Sequence, residues 1–311
     1  MRLDLLAART FGLGRRAARD AVRAGRIDLD GVAQSEPGLD VPPESVLTHH
    51  ADRPARFRVR TNVSVLHEDA DCIVVDKPAG LLSLPTADRE KDTLLSRVSA
   101  YLQHRYRRRP YVGVVHRLDK ETSGALLFAR SREALRTLQE LFKRHEIERE
   151  YVALVTGGLP PDGEFRADLV RDRGDRRRGV ARPGEKGLRA VTRYRTLEVL
   201  PGASLVSVRL ETGRTHQIRV HFAAAGHPVL GDLVYGAPDA RPVADTPRQM
   251  LHARTLGFAH PRTGEAVRCE APLPEDFAGV LETLRRCKTK ALRPKPERLP
   301  KREKVNVRRE R

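Results

Sequence analysis

Two short apolar runs frame a polar turn near the middle of the chain. Residues 112–115 read Val-Gly-Val-Val and residues 125–129 read Ala-Leu-Leu-Phe-Ala. Both runs are bounded by glycine, proline or charged residues, which is typical of buried β-strands. Residues 116–124 between them read His-Arg-Leu-Asp-Lys-Glu-Thr-Ser-Gly, so Asp119 is predicted to lie in a loop at a strand end. Because all these polar types are ordinary turn residues, an Asp that only caps its own turn is an equally good interpretation of the spacing.

The same short apolar pattern recurs along the rest of the chain. It predicts six more strands, at residues 63–68, 72–76, 150–155, 191–200, 204–211 and 250–260. A turn with an exposed Lys77 follows the second of these strands. Residues 157–190 are rich in Gly, Pro and Arg and predict an irregular excursion around a hairpin. The arginines of this excursion indicate no role by themselves; they include Arg171, Arg173, Arg176, Arg177 and Arg178.

Capping residues and helical periodicity predict three helices in the larger part of the chain. Asp92 or Thr93 begins the first, which runs to about Arg109 and ends in a basic cluster. Ser131 begins the second, which ends near His145. Its inward side chains are predicted to be Leu135, Leu138, Leu141 and Phe142. The third is a capped helix after a glycine turn at residue 213, and its apolar side is predicted to be Ile218, Phe222 and Ala225.

A basic helix is predicted close to the amino terminus. Arg15, Arg19 and Arg23 recur at a spacing of four residues and therefore share one helix face, while Ala18 and Val22 form an apolar face. A glycine at residue 25 ends the helix before a hairpin around residues 27–31. The helix suits contacts with RNA phosphates, and an inert basic surface is the alternative interpretation.

The charge of the chain favours a polyanionic partner. Lys and Arg number 59 against 41 Asp and Glu, which gives a formal net charge of +18. Residues 288–311 contribute +8 of this with little apolar content and are predicted to form a disordered basic tail. The remainder is still strongly basic, so nucleic acid is the first candidate partner through phosphate neutralisation.

Other classes of protein are disfavoured. A hydrophobic content of 39% fits a globular protein, and the chain has neither a run of roughly 18 apolar residues nor the apolar start of a secretory signal. Cys72, Cys269 and Cys287 are too widely spaced for a disulfide framework or a zinc motif. His216 and His221 lack the spacing and the carboxylate of a helical metal site, so structural histidines are expected. We therefore expect a cytoplasmic monomer without a metal ion.

Three segments together carry a specific resemblance. The nonamer at residues 116–124 resembles the signature of the RluA-type (ribosomal large-subunit) pseudouridine synthases, in which the Asp is catalytic. Residues 74–83, Val-Val-Asp-Lys-Pro-Ala-Gly-Leu-Leu-Ser, resemble the first motif of that family, which has a scaffold role. Residues 212–221, Thr-Gly-Arg-Thr-His-Gln-Ile-Arg-Val-His, resemble its third motif. The resemblance extends over most of residues 63–277.

The resemblance implies roles for individual residues. Asp119 would be the nucleophile and Tyr151 the tyrosine that stacks on the target base, although β-propensity alone also explains a half-buried strand tyrosine. An arginine of the third motif pairs with the Asp in this family; we assign Arg219, with Arg214 as the competitor. The predicted substrate-binding residues are Arg117, Arg214, Ile218 and Leu251.

The resemblance also implies the fold and the reaction. The fold is α+β, a mixed and largely antiparallel sheet with flanking helices and a central cleft. The reaction isomerises uridine in RNA to pseudouridine and needs no cofactor. Ribosomal RNA is the favoured substrate and transfer RNA the alternative. Separately, Arg2-Leu3-Asp4, residues 23–27 (Arg-Ala-Gly-Arg-Ile) and Asp30-Gly31 resemble the alpha-L RNA-binding motif of a small-subunit ribosomal protein. We predict an alpha-L RNA-binding-like module at 1–50, a linker at 51–62, a catalytic domain at 63–287 and the tail at 288–311.

Two other functional classes compete with this interpretation. A non-catalytic RNA-binding protein would explain the charge and the basic helix, but it leaves three motif matches in the right order as a coincidence. A hydrolase using Ser123 would need a Gly-x-Ser-x-Gly elbow, which the sequence lacks. The sequence therefore predicts an RNA pseudouridine synthase.

Overall fold

The computed structural model describes residues 1–53, 61–86, 90–108, 110–171, 177–236 and 244–291, with side chains up to residue 287. The chain divides into two compact units, Met1–Arg60 and Thr61–Arg311. Four predictions concern positions outside the described residues. They are most of the linker, the helix end at Arg109, the arginines Arg173 and Arg176, and the tail beyond residue 291.

The smaller unit packs two helices on a three-stranded antiparallel sheet. Its elements are α1 (Leu3–Phe11), α2 (Arg15–Arg23), β1 (Ile27–Leu29), β2 (Val32–Gln34) and β3 (Leu47–His49), and the strand order is β2-β1-β3. The predicted helix α2 is confirmed, with Ala18 and Val22 buried against the other apolar residues of the unit. The hairpin between β1 and β2 turns at Asp30 and Gly31, which both have positive φ. An Asp-Gly pair favours this turn because glycine adopts the left-handed conformation without strain.

The larger unit is built on a sheet of eleven strands within the described residues, flanked by four helices. The strands are β4 (Ser64–Glu68), β5 (Cys72–Lys77), β6 (Gly113–Val114), β7 (Ser123–Ala129), β8 (Glu148–Thr156), β9 (Asp162–Val170), β10 (Gly179–Val180), β11 (Leu188–Leu200), β12 (Ala203–Leu210), β13 (Leu251–Ala259) and β14 (Ala266–Glu270). The helices are α3 (Leu94–Tyr106), α4 (Arg132–Lys143), α5 (Gln217–Ala224) and α6 (Glu275–Ala291). The principal order is β10-β9-β11-β12-β8-β13-β7-β5-β4, with β14 beside β13 and β6 beside β7. This is the predicted α+β class with a mixed, largely antiparallel sheet.

The central strands bury both faces of the sheet. Along β5 the side chains of Ile73 and Val75 join the cluster that includes α3, whereas Cys72 and Val74 join the cluster that includes α4. This period of two arises because successive side chains of a strand point to opposite faces. Strands buried on both sides read as continuous apolar runs, and β7 is such a run.

One parallel pairing brings distant segments together at the centre. Strand β7 pairs in parallel with β13 at Ser123 and Gly124, whereas the other pairs of this sheet are antiparallel. A Cβ added at Gly124 would lie 2.1 Å from the carbonyl oxygen of Ala253, and Gly124 has a φ of +115°. Only glycine allows this approach without strain. The glycine that ends the nonamer is therefore explained by the pairing of β7 with β13.

The structure corrects several predicted elements. The strand predicted at 112–115 shortens to two residues in β6. The excursion at 157–190 contains the nine-residue strand β9. Exposed and half-buried side chains alternate along most of β9, but many of them are polar, so the sequence did not show the apolar alternation of a strand. Strand β14 and helix α6 were not predicted, and α6 continues to Ala291, past the predicted domain end at residue 287. Ala225 is exposed at the end of α5 and does not belong to its apolar side.

The predicted caps of α3 and α4 are confirmed. The Thr93 side chain accepts a hydrogen bond from the Ser96 backbone, and Ser131 accepts one from Ala134. Helix α3 ends earlier than predicted, at Tyr106, because Arg107 adopts the left-handed conformation. No helix in the described part of the chain is long and apolar enough to span a membrane.

Candidate active site

Seven residues selected from the sequence surround one cleft in the larger unit. The cleft has a volume of about 190 Å³. Its lining includes Asp119, Tyr151, Arg219, Arg117, Arg214, Ile218 and Leu251. These residues come from segments that are far apart in the chain: the loop before β7, strand β8, the turn and helix of α5, and the start of β13.

The loop that carries Asp119 is held from one side by the first motif. Lys77 is fully buried, and its ammonium group donates hydrogen bonds to the carbonyl oxygens of Pro78, Leu81 and Lys120 at 2.9, 2.7 and 2.9 Å. The prediction of an exposed Lys77 is therefore wrong, because three carbonyl acceptors match the three donors of an ammonium group and make its burial tolerable. Burial lowers the pKa of Lys77 to about 7, against the charges of nearby Glu121 and Asp119.

A second side chain of the first motif, Ser83, binds the backbone of the residue before Asp119. The hydroxyl of Ser83 donates to the carbonyl oxygen of Leu118 at 2.7 Å and accepts from its backbone N–H at 3.1 Å. The scaffold role implied for this motif has a physical basis here. Ser83 and Lys77 bind the backbone of residues 118 and 120, so the position of Asp119 between them is restricted.

The other end of the loop is held by residues that precede β13. Arg248 is 6% exposed and donates to the carbonyl oxygen of Glu121 at 3.0 Å and to the Ser123 hydroxyl at 3.2 Å. It also forms a bidentate ion pair with Asp276 at 2.7 and 2.9 Å. The side-chain amide of Gln249 donates to Thr122 at 2.7 Å. These contacts explain why Thr122 and Ser123 of the nonamer are buried.

The carboxylate of Asp119 contacts an arginine that is held by a second carboxylate. Nη1 of Arg219 donates to Oδ2 of Asp119 at 3.0 Å. Nε and Nη2 of the same guanidinium donate to Asp232 at 2.7 and 2.9 Å. This bidentate pair fixes the guanidinium plane and leaves one edge for Asp119. Of the two arginines considered from the sequence, Arg219 is thus the partner of Asp119, whereas Nε of Arg214 donates to the carbonyl oxygen of Arg189.

The burial of this network shapes its electrostatics. Burial by itself raises the pKa of Asp232, but the hydrogen bonds and charge of Arg219, with the backbone N–H groups of Val234 and Tyr235, outweigh burial and lower that pKa. Burial also opposes the charge on Arg219, yet its two carboxylate partners raise the pKa of the guanidinium. A buried arginine with two acidic partners therefore keeps its positive charge beside Asp119.

A histidine lies near the other carboxylate oxygen of Asp119. Nε2 of His216 is 3.6 Å from Oδ1 of Asp119, and Nδ1 of His216 is 2.8 Å from the hydroxyl of Tyr235. Burial lowers the pKa of His216 and outweighs the charge of Asp119, and Arg219 and Arg178 lower it further. The ring of Tyr235 lies under the Arg219 guanidinium, with 5.0 Å between the guanidinium carbon and the ring centroid.

The turn before α5 is held by a buried glutamine. Oε1 of Gln217 accepts from the Arg214 backbone at 3.0 Å and from the Thr212 hydroxyl at 2.7 Å, and its amide donates to Val191 and Thr192. No side chain caps the start of α5, so the predicted cap is wrong; instead His216 adopts a φ of +58° there. The left-handed conformation turns the chain into the helix that carries Arg219.

Tyr151 and two aliphatic side chains form the apolar part of the cleft. Tyr151 lies on β8 and is 9% exposed, and burial raises the pKa of its phenol, opposed by Arg149 and reinforced by Asp119. The phenol is therefore uncharged near neutral pH. Ile218 and Leu251 are each 4% exposed. An aromatic ring and two aliphatic chains beside a carboxylate suit a flat, uncharged ring such as a nucleobase.

The remaining predicted residues lie at the surface. Arg117 is exposed at the mouth of the cleft. Arg15, Arg19 and Arg23 are exposed on α2 of the smaller unit, where Arg19 contacts the buried Asp4 at 3.3 Å. Their roles stay predictions.

Sequence reasoning missed several parts of this site. His216 was weighed as a metal ligand and expected to be a structural histidine, and Tyr235, Arg248 and Gln249 were not selected. Asp232 was recognised only as part of a segment that follows the third motif. A single acidic residue 13 positions after Arg219 carries no local periodicity that would have identified it as the partner.

Two overlapping side-chain groups outside the cleft have the composition of a metal site within the described residues. They are His67, Asp69 and Cys72, and Asp69, Asp71 and His260. Oδ2 of Asp69 is 2.6 Å from His67 and 3.2 Å from His260, and Oδ1 accepts two backbone N–H groups. Nδ1 of His260 accepts from the Thr263 backbone, so Nε2 carries the proton toward Asp69. Internal hydrogen bonds explain this group without a metal ion.

Comparison with known proteins identifies the family. The family model for RNA pseudouridylate synthases matches residues 71–224. An RNA pseudouridine synthase of Mycobacterium tuberculosis is 37% identical over 92% of this chain and 94% of its own. The ribosomal large subunit pseudouridine synthase D of Pseudomonas aeruginosa is 36% identical over 91% of this chain and 92% of its own. The human RNA Pseudouridylate Synthase Domain Containing 4 shares the fold, with a TM-score of 0.61 and 24% identity over 71% of this chain and 93% of its own.

The chain belongs to the RNA pseudouridine synthase family. It is an enzyme that isomerises uridine in RNA to pseudouridine, as the three motifs indicated.

Proposed function

We propose that the protein modifies large-subunit ribosomal RNA and that Asp119 is the nucleophile. The carboxylate of Asp119 lies in the cleft within hydrogen-bonding distance of Arg219, and this observation carries the proposal. A relative named for the ribosomal large subunit aligns with 91% of this chain, which supports the choice of RNA. Transfer RNA is the alternative substrate. A monomer located in the cytoplasm is part of the same proposal.

The reaction is an isomerisation, so atoms and charges balance within the substrate. The bond between the ribose and N1 of uracil breaks, and a bond between the ribose and C5 forms. C5 loses a proton and N1 gains one. Asp119 attacks the ribose or the base and is released when the new bond is complete. Arg219 orients the carboxylate and offsets its charge, while Asp232 fixes Arg219.

The cleft holds the base outside the RNA stack. A uridine inside folded RNA must be flipped out to reach Asp119, at a cost of a few kcal/mol. Tyr151 stacks on the uracil, and Ile218 and Leu251 exclude water from it. Stacking of a base on an aromatic ring contributes about 1 to 3 kcal/mol. The same phenol takes the proton from C5 late in the reaction and gives up its own hydroxyl proton in the same step, so that the loss of one proton from C5 and the gain of one at N1 stay balanced.

The test of this proposal is the substitution Asp119→Asn. Asn keeps the shape and the turn hydrogen bonds of Asp119 but lacks the nucleophilic carboxylate, so pseudouridine formation should fall below detection while RNA affinity changes little. Tritium release from labelled large-subunit ribosomal RNA measures turnover, and a titration measures binding. Glu121→Gln, in the same loop, is the matched control and should retain activity. An active Asp119→Asn enzyme would overturn the assignment of the nucleophile.

The substrate is tested separately in cells. Pseudouridines are mapped across total RNA from a strain that lacks the gene, by carbodiimide labelling and primer extension. We expect at least one site to disappear from large-subunit ribosomal RNA. Loss of sites from transfer RNA alone would contradict the proposed substrate and leave the role of Asp119 intact.

A further inference from the structure

Leu233, which directly follows the Asp232 that binds Arg219, is an exposed leucine. The side chain of Leu233 is 96% exposed, the highest value among the large hydrophobic side chains in the described ranges. Its neighbour Val234 is 36% exposed. Isolated surface leucines are common, but a leucine presented almost completely to solvent next to a binding cleft suggests a contact with a partner.

The turn that carries Leu233 is held by backbone hydrogen bonds to Asp232. Oδ1 of Asp232 accepts the backbone N–H groups of Val234 and Tyr235 at 2.9 and 3.1 Å, and its carbonyl oxygen accepts from Gly236 at 2.8 Å. Just before the turn, a Cβ added at Gly231 would lie 2.0 Å from the carbonyl oxygen of Arg248. These contacts define the backbone of the turn on which Leu233 is exposed.

The same turn binds two residues that line the cleft. Asp232 binds Arg219, the partner of Asp119, and the hydroxyl of Tyr235 contacts His216, which lines the cleft. Leu233 is two residues from Tyr235, which is at most about 7 Å along the backbone.

Two arginines lie close to the residues that this turn contacts. The backbone N–H of Arg178 donates to the Tyr235 hydroxyl at 3.2 Å, and its charge acts on His216. Arg214 is exposed on the turn that also lines the cleft. An apolar side chain among arginines fits a nucleotide, because the cations match the phosphates and the leucine matches a base face.

We propose that Leu233 packs against the base next to the target uridine and keeps the RNA strand open after that uridine has left the stack. The inference rests on the proposed function and deepens it, since it adds a residue that contacts the flanking nucleotide. Apolar side chains that insert between stacked bases serve this purpose in other nucleic-acid complexes. The contribution of Leu233 to kcat/KM should be greatest on folded RNA, because only in folded RNA must base stacking be broken.

The experiment compares full-length wild type with Leu233→Ala on two RNAs. One is the folded ribosomal RNA domain that contains the mapped uridine, and the other is a short unpaired oligonucleotide with the same sequence. We expect kcat/KM to fall about tenfold on the folded RNA and at most about twofold on the oligonucleotide. Leu233→Met should restore most of the rate. Leu197→Ala, at a leucine 42% exposed on β11, is the matched control and should retain it.

A fluorescence measurement tests the contact without turnover. 2-Aminopurine next to the target uridine should brighten when wild type binds and unstacks it, and the increase should be smaller with Leu233→Ala. Equal loss of rate on both RNAs, or no loss on either, would overturn the inference. Concentration-dependent dimers that disappear in Leu233→Ala would assign the leucine to a contact between two copies and overturn it as well. An inactive wild type on ribosomal RNA would contradict the proposed function, whereas an active wild type with an equally active variant contradicts this inference alone.

Discussion

Arg219 and Arg214 belong to the same ten-residue motif but occupy opposite environments. Arg219 is 5% exposed and lies between two carboxylates, whereas Arg214 is exposed and its side chain donates to a backbone carbonyl. Arg219 belongs to the buried inner part of the cleft around Asp119, which we call the floor. Arg214 belongs to the solvent-exposed edge of the cleft, which we call the rim. Desolvated charges interact strongly, while exposed charges are screened by water and salt.

This difference separates two kinds of functional residue. Residues of the floor, which are Asp119, Arg219, Asp232 and Tyr151, should affect the chemical step. Residues of the rim, which are Arg117, Arg178 and Arg214, should affect how RNA is gripped and opened. Four variants test this division, beginning with the largest expected effect.

The substitution Arg219→Lys should have a large effect on turnover. Lysine keeps the positive charge but loses the planar fork, so it cannot hold Asp232 through two hydrogen bonds and Asp119 through a third. We expect kcat to fall by about a hundredfold or more. Thermal unfolding should show a loss of roughly 1 to 3 kcal/mol because Asp232 is buried and loses a partner. Arg214→Lys is the matched control, and an equal loss of kcat in both variants would remove the distinction between floor and rim.

Tyr151→Phe separates two roles of the tyrosine. Phenylalanine keeps the stacking surface, so binding of RNA should persist. If the hydroxyl takes the proton from C5, kcat should fall about a hundredfold, the size of a general base contribution. Single-turnover kinetics with a binding titration measure both quantities. Unchanged turnover would reduce Tyr151 to a stacking platform, and Tyr235→Phe controls for the loss of a neighbouring hydroxyl.

Arg117→Ala should discriminate between substrates. Arg117 is exposed at the mouth of the cleft, two residues before Asp119, where it can fill the space of the flipped base or bind a phosphate. Modification of folded RNA should slow about tenfold, and that of an unpaired fragment much less, because only the folded RNA requires unstacking. Parallel rate measurements on both RNAs decide the matter. The same factor on both would count against this role and place Arg117 with the floor.

The smallest effect is expected in the N-terminal unit. Replacing Arg15, Arg19 and Arg23 by Gln removes three exposed charges from α2, and Asp4 keeps Arg2 as a partner. RNA affinity should fall and its dependence on salt should weaken by a slope of up to about 2, while kcat at saturation is retained.

The control for this variant lies on the surface of the larger unit. It carries Gln in place of three exposed arginines on or beside α4: Arg132, Arg136 and Arg144. Equal salt dependence in the control would show that α2 contributes only general charge. A lower kcat at saturation in the α2 variant would indicate a role in the chemical step, contrary to the division proposed.

The sequence by itself determined the local elements and the candidate catalytic residue. Apolar runs gave the central strands, Thr93 and Ser131 gave two helix starts, and the position between two strands gave Asp119 its loop. These features depend on neighbouring residues, so short-range patterns suffice to predict them. Strand β9 and helix α6 escaped this reasoning, because the composition of β9 is polar and α6 runs into a basic segment that reads as a tail.

Only the tertiary structure decided how the site is assembled. In the structure Asp119 contacts Arg219 and not Arg214, and Asp232 is the second carboxylate partner of Arg219. Lys77 is buried under the loop that carries Asp119. Arg219 is 100 positions away from Asp119 in the chain, and no local pattern specifies which side chains such a separation brings together. The contact exists because the sheet brings the loop before β7 and the helix that follows β12 to the same cleft. Burial then strengthens the interaction of Arg219 with its two carboxylate partners, which is a property of the fold and not of the motif.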